Sequence, residues 1–132
     1  MHLILCIDDR NGLCFGGRRQ SQDRLLREDL LSMTRGVPLW MAPYSARQFE
    51  SLPENVRVAE NFMEEAGAGE YCFCELQLPQ SDVESITVYR WNRHYPSDLA
   101  LPDSWLQCRS LTERKEFPGS SHEIITREVY TL

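Results

Sequence analysis

The sequence predicts an α/β fold in three α/β/α layers, built on a mixed, mainly parallel sheet of about seven or eight strands. Short apolar runs alternate with amphipathic helical segments through the first half of the chain, which favours parallel strands joined by helices. In the last third, strand patterns follow one another directly, which predicts an antiparallel hairpin at the C-terminus. The 132 residues, 42% of them hydrophobic, suit a single domain covering 1–132.

The first predicted element is a continuous apolar run, His2–Ile7, which suits an interior strand covered on both faces. Residues 8–22 are predicted to form a loop, because their glycines permit positive φ and would let the segment fold over a ligand. A helix is predicted over 22–34, with Ser21 as its N-cap and Gly36 ending it.

The later elements are shorter and are separated by proline and glycine. They comprise strands over 37–42, 55–59, 70–76, 86–91, 104–109 and 123–130, helices over 44–52 and 60–66, and turns around Pro79 and Ser81 and at 118–120. The last two strands are expected to form the hairpin at an edge of the sheet.

One acidic residue stands out in the helix predicted over 22–34. At about 100° per residue, Asp29 lies inside the apolar arc, between Leu25 and Met33. A carboxylate held there loses hydration, which raises its pKa and makes it a candidate acid or ligand-orienting group. The other interpretation is an aspartate that reaches a backbone donor or the rim of the stripe. Helix geometry leaves both open.

The charge balance bears on the class of partner. Fourteen Lys and Arg against 20 Asp and Glu give a net charge of -6, which argues against nucleic acid or an anionic membrane as the main partner. A local basic cluster contains Arg18, Arg19, Arg24 and Arg27. It could face phosphates or simply be solvated, and the sequence leaves both interpretations open.

The five cysteines show no CxxC pair and no metal-like grouping with histidine, so no metal site is predicted and the thiols are expected to be reduced. Cys14, in the predicted loop, is the one expected to be exposed, and Cys6, Cys72 and Cys74 are expected to pack as small apolar residues. The N-terminus enters a strand directly and no apolar run reaches membrane-spanning length, which predicts a cytoplasmic protein without a membrane partner.

Five stretches together resemble the dihydrofolate reductase family. ILCIDDRNGLCFG resembles its first strand and active-site loop, and REDLLSM followed by GVPLWMAPYSARQFESLP resembles its acid-bearing helix, second strand and following short helix. ELQLP and ITVYRWNRHYPSDLALPDSW resemble its later Leu-Pro turn, strand and approach to the C-terminal hairpin. The resemblance implies the dihydrofolate reductase-like fold over nearly the whole chain, although each motif is degraded.

The resemblance also implies a pterin cleft. Asp29 falls where the family has the helix carboxylate that binds the amidine edge of the pterin and assists protonation of the substrate, which makes it the candidate catalytic residue. The other residues that would line the cleft come from the helix and from neighbouring strands: Leu30, Met33, Ile4, Cys6 and Tyr89.

The cofactor motifs depart from the family pattern. Pro43 stands where a helix-terminal Arg would bind the phosphates of the nicotinamide cofactor, and only the hydroxyl of Ser45 remains there. EYCFCELQLPQ lacks the glycine pair and the helix that would face the pyrophosphate. Arg18 and Arg19 are the visible candidates for a replacement phosphate site.

These departures predict a domain that has lost hydride transfer and needs no cofactor. Such a domain would bind a small heterocyclic ligand in the old cleft, or a protein partner through the loop that runs from Arg18 to Asp23. The alternative is an active, divergent reductase of dihydrofolate or a related pterin, with NADPH held by Ser45, Arg18 and Arg19. An unrelated fold is the third interpretation.

Overall fold

The computed structural model describes residues 1–80 and 83–132 and confirms the α/β fold. Its strands are β1 His2–Ile7, β2 Gly12–Phe15, β3 Arg18–Arg19, β4 Leu39–Met41, β5 Val56–Val58, β6 Tyr71–Phe73, β7 Ser85–Arg90, β8 Leu99–Ala100, β9 Ser110–Phe117 and β10 Ile125–Thr131. Its helices are α1 Arg24–Met33, α2 Pro43–Ala46, α3 Phe62–Glu65 and α4 Ser104–Gln107.

The main sheet has seven strands in the order β5-β4-β6-β1-β7-β10-β9. Strand β1 lies in the interior, parallel to β6 on one side and to β7 on the other, as its continuous apolar sequence predicted. β10 pairs antiparallel with β7 and β9, so the C-terminal hairpin completes the sheet and β9 is its edge strand. The predicted sheet, its central strand and its edge hairpin are therefore confirmed.

Two apolar cores cover the two faces of this sheet. On one face, Leu3 and Leu5 of β1 share a core with Phe62 of α3, and Trp105 of α4 packs against it. On the other face, Ile4 of β1 belongs to a second core together with Leu26 and Leu30 of α1. Successive residues of a strand point to opposite faces, so β1 contributes to both cores and the layers are α/β/α.

The segment 8–22 differs from the predicted open loop. Strands β2 and β3 form a hairpin, and β8 joins it to make a second, three-stranded sheet. Gly16 and Gly17 have φ values of 58° and 71°, the conformation of a tight two-residue hairpin turn. Cys14 is buried in this hairpin and Cys108 is exposed, so the prediction that Cys14 would be the exposed cysteine was wrong. The two glycines form the turn of this hairpin, and the hydrophobic periodicity of the sequence did not predict its short strands.

Several predicted boundaries also shift. The N-cap of α1 is Asp23, whose side chain accepts from two amides of the first turn, whereas Ser21 was predicted. The segment predicted as a strand over 104–109 instead contains helix α4, from which Trp105 packs against the core, and strand β9 begins only at Ser110. Helix α2 spans only the beginning of the predicted helix 44–52.

The turn predicted around Pro79 and Ser81 lies partly outside the described residues. Among the helices of the described chain, none has the length and apolar content to cross a membrane.

Candidate functional site

Asp29 is held by three donors from the neighbouring strands. Its side chain, on the inner face of α1, is 10% exposed. The Tyr89 hydroxyl of β7 donates to Oδ2 at 2.7 Å, Arg127 Nη1 of β10 donates to Oδ2 at 2.6 Å, and Lys115 Nζ of β9 donates to Oδ1 at 3.0 Å. Arg127 also donates to Glu113 at 2.7 Å. The carboxylate therefore belongs to an ion-pair network between helix and hairpin.

This network reverses the predicted direction of the Asp29 pKa. Burial opposes ionisation of Asp29, but the hydrogen bonds of Tyr89 and Lys115 and the charge of Arg127 outweigh it and lower the pKa of the carboxyl group. Burial and the adjacent Asp29 carboxylate raise the pKa of Tyr89 well above its ordinary value, which keeps this hydroxyl a donor. The expected rise of the Asp29 pKa was wrong because the cations come from strands that helix geometry does not show.

The other residues assigned to the pterin cleft do come together, but as packed core. Ile4, Cys6, Leu30 and Tyr89 are buried in the apolar core under α1, and Met33 packs against its edge. Of these, Cys6 lines a cavity of about 10 Å³. Ligand pockets typically measure about 300–1,000 Å³, so this cavity is far too small for a pterin.

The two arginines proposed as a phosphate site have different surroundings: Arg18 is exposed, and Arg19 is paired with Glu75. Arg18 is exposed at the hairpin tip. Arg19 points inward, where Nε and Nη2 donate to the two carboxylate oxygens of Glu75 at 3.0 and 3.2 Å. Only 6% of the Glu75 side chain is exposed, so this is a mostly buried two-point contact between guanidinium and carboxylate.

Tyr44 and Gln48 complete the surroundings of this pair. The Arg19 guanidinium lies over the Tyr44 ring, 4.3 Å from its centroid, and the Arg19 backbone amide donates to the Tyr44 hydroxyl at 3.0 Å. Gln48 Nε2 donates to Glu75 at 2.9 Å. Ser45 is buried in the adjacent turn of α2. The structure thus brings Arg19 and Ser45 to one region and leaves Arg18 outside it, with the charge of Arg19 already balanced by Glu75.

A larger cavity of about 230 Å³ lies beside this pair, beyond the carboxyl ends of β4 and β6. Ligands of parallel α/β sheets commonly bind at such strand ends. The residues that line this cavity are of mixed charge: they include Arg47 and the acidic Glu60 and Glu75. Phe62 adds an apolar side chain to the lining. The cavity fits a compound smaller than a typical heterocyclic cofactor.

Sequence reasoning missed a second polar cluster. Asp23 Oδ2 lies 3.0 Å from His122 Nδ1, and His122 Nε2 lies 3.2 Å from Ser21 Oγ and 3.0 Å from the Tyr95 hydroxyl. Burial opposes ionisation of Asp23, but backbone amides including those of Ser120 and Ser121 outweigh it and lower the pKa. The N-cap role of Asp23 could have been found from sequence, but the approach of His122 across 99 residues could not.

No group of three or more His, Cys, Asp or Glu in the described part of the chain has an arrangement that could hold a metal ion. Comparison with models of protein families and with curated proteins finds no match for this chain.

Proposed function

We propose that this chain is a dihydrofolate reductase-like domain that has lost hydride transfer and acts as a binding module. One observation carries the proposal: the chain itself neutralises Asp29, which the resemblance assigns to chemistry, and Arg19, one of the two candidates for a replacement phosphate site. Asp29 is bound by Arg127 and Lys115, and Arg19 is bound by Glu75.

The Asp29 network argues against pterin binding. A pterin amidine would need both carboxylate oxygens as acceptors, and each already receives a hydrogen bond from a cation. Displacing the mostly buried Arg127 would take away one of its two carboxylate partners, and breaking a buried ion pair typically costs about 3–5 kcal/mol.

The Arg19 contact argues against a nicotinamide cofactor in the same way. A phosphate that approached Arg19 would meet the Glu75 carboxylate, and like charges repel strongly at a buried site. Pro43 supplies neither a charge nor a backbone donor at the start of α2. No cofactor is therefore part of the proposed function.

The binding surface that we favour is the tip of the β2–β3 hairpin, within and just before the loop 18–23. Phe15 is 54% exposed there and Arg18 is exposed beside it. Gly16 donates its amide to Asp98 at 3.0 Å, which fixes the tip before any partner arrives. Aromatic and arginine side chains dominate the energetics of many protein interfaces, so we propose a protein partner with an apolar, acidic surface. A small ligand would instead occupy the cavity of about 230 Å³ beside Arg19 and Glu75.

The test is a reductase assay with NADPH and dihydrofolate, followed at the NADPH absorbance band. We expect no turnover above that of Asp29→Asn, because Asp29 and Arg19 are already bound to charged groups of the chain itself. A parallel melting experiment should show no shift with NADPH, since a ligand at 100 times its dissociation constant would add about 2.7 kcal/mol. Turnover of about 1 per second, abolished by Asp29→Asn, would refute the proposal and favour the active-reductase alternative.

A further inference from the structure

Ser21, His122 and Asp23 are linked by continuous hydrogen bonds, which do not involve Phe15 or Arg18 of the proposed binding surface. Ser21 Oγ lies 3.2 Å from His122 Nε2, and His122 Nδ1 lies 3.0 Å from Asp23 Oδ2. Solvent exposure rises from the acid to the hydroxyl of this cluster. The Asp23 side chain is 0% exposed, that of His122 is 2% exposed, and Ser21 is partly exposed. A buried acid, a shielded base and an accessible hydroxyl occur in this order in serine nucleophile sites.

The imidazole of His122 is held rigidly. Its ring stacks on Trp91 with centroids 4.7 Å apart and an interplanar angle of 27°. Asp23 is fixed in turn by amides of the first turn of α1 and of Ser120 and Ser121. A carboxylate acceptor at Nδ1 places the imidazole proton there and leaves Nε2 as an acceptor that faces Ser21.

A small cavity beside Ser21 supplies a second, independent observation. It measures about 10 Å³ and is lined by Ser21, Cys6, Gln20 and Trp91 among others. Gln20 Oε1 is buried and has no hydrogen-bond partner among the described residues. A space of roughly 10–15 Å³ with polar walls accommodates one water molecule. The cavity therefore has room for one water among residues that include Gln20 and Ser21.

We propose that Ser21 is a nucleophile activated by His122 and positioned by Asp23, and that this site cleaves small esters with good leaving groups. Ser21 Oγ forms a bond to the acyl carbon while its proton passes to His122 Nε2, and the proton then goes to the departing alcohol as the ester C–O bond breaks. The water beside Gln20 attacks the acyl-serine next, gives its proton to His122, and releases the carboxylic acid as Ser21 recovers its proton.

The Tyr95 hydroxyl competes with Ser21 for His122 Nε2. This hydroxyl lies 3.0 Å from the same Nε2 that would accept the Ser21 proton, so the two hydroxyls share one acceptor. Removal of the Tyr95 hydroxyl leaves Nε2 to Ser21 alone and should accelerate acylation. A purely structural role of the cluster predicts no such acceleration.

The experiment treats the whole chain with a fluorophosphonate probe, maps the modified residue by mass spectrometry, and measures hydrolysis of p-nitrophenyl acetate. We expect labelling at Ser21, faster than at Ser32 of α1 by about a hundredfold or more, as general-base assistance typically provides. Ser21→Ala should abolish this labelling and the hydrolysis, and the exposed Ser32→Ala serves as the matched control.

Because His122 is buried, substitutions of it risk unfolding, so Tyr95→Phe provides the second variant. Labelling of Ser21 that is faster in Tyr95→Phe than in the unaltered protein, at an unchanged melting temperature, supports the proposal. Absence of Ser21 labelling in both proteins would overturn it and assign the cluster to anchoring α1. Hydrolysis that persists in Ser21→Ala would overturn it as well.

Discussion

Arg127 Nη1 lies 2.6 Å from Asp29 Oδ2, although 98 residues separate the two side chains in sequence. The contact joins the first long helix to the C-terminal hairpin and neutralises the carboxylate that the resemblance assigns to catalysis. It is therefore a structural contact that already occupies one oxygen of this carboxylate.

Removal of Asp29 should destabilise the fold substantially. Asp29→Ala leaves Arg127 with less compensation at a site where both side chains are 10% exposed, and we expect the free energy of unfolding to fall by about 3 kcal/mol. Urea unfolding measures this. The matched control is Glu28→Ala on the same helix, which breaks an exposed pair with Arg24 and should change the free energy by less than about 1 kcal/mol. Equal effects would contradict the network.

At acidic pH, protonation of Asp29 should lower the free energy of unfolding. Its pKa is lowered from 3.8 in the folded state, so the unfolded chain binds protons first as the pH falls. The stabilisation is complete above the unfolded pKa and is lost as the pH falls through the folded pKa, starting from about pH 5. Asp29→Asn should therefore show a shallower loss of unfolding free energy with acid than the unaltered protein. Parallel curves for the two proteins would show that Asp29 has no lowered pKa.

The Arg19–Glu75 pair should control access to Cys6. Both residues line the cavity that Cys6 reaches, and Cys6 is 7% exposed. Arg19→Ala removes this cover, and a loss of about 1.4 kcal/mol in the free energy of local opening would raise the alkylation rate of Cys6 about tenfold. Peptide mapping after brief iodoacetamide treatment distinguishes Cys6 from the other thiols. Arg18→Ala, which alters the exposed neighbour, should leave the rate unchanged, and a similar increase there would argue against the pair as the cover.

The backbone conformation of Gly17, and not its packing, should make glycine the preferred residue at the hairpin tip. Its φ is 71°, and an added Cβ would meet no atom within 4 Å, so packing is not at issue. Gly17→Ala should cost about 1–2 kcal/mol of unfolding free energy, the usual penalty of the left-handed conformation for a residue with a Cβ. Gly67→Ala is the comparison, because Gly67 has no positive φ and its nearest neighbour is the flexible Glu70 side chain. An unchanged stability of Gly17→Ala would contradict this assignment.

The sequence by itself determined the sheet and its central strand. The apolar run His2–Ile7 has no polar residue except at its start, so both faces of the strand must be covered, and burial on both faces requires an interior position. The alternation of short strands and helices likewise determined the mainly parallel order. These features follow from local hydrophobic patterns, which a single sequence displays directly.

Only the tertiary structure decided the charge state of the candidate site. Helix geometry correctly directed Asp29 toward the sheet, but Lys115 and Arg127, which lower its pKa, come from the C-terminal hairpin. The Asp23–His122 contact likewise depends on where the loop before β10 returns to α1. Electrostatic interactions depend on distance in space, and a sequence gives only distance along the chain, so the partners of a buried charge become known when the strands have been paired.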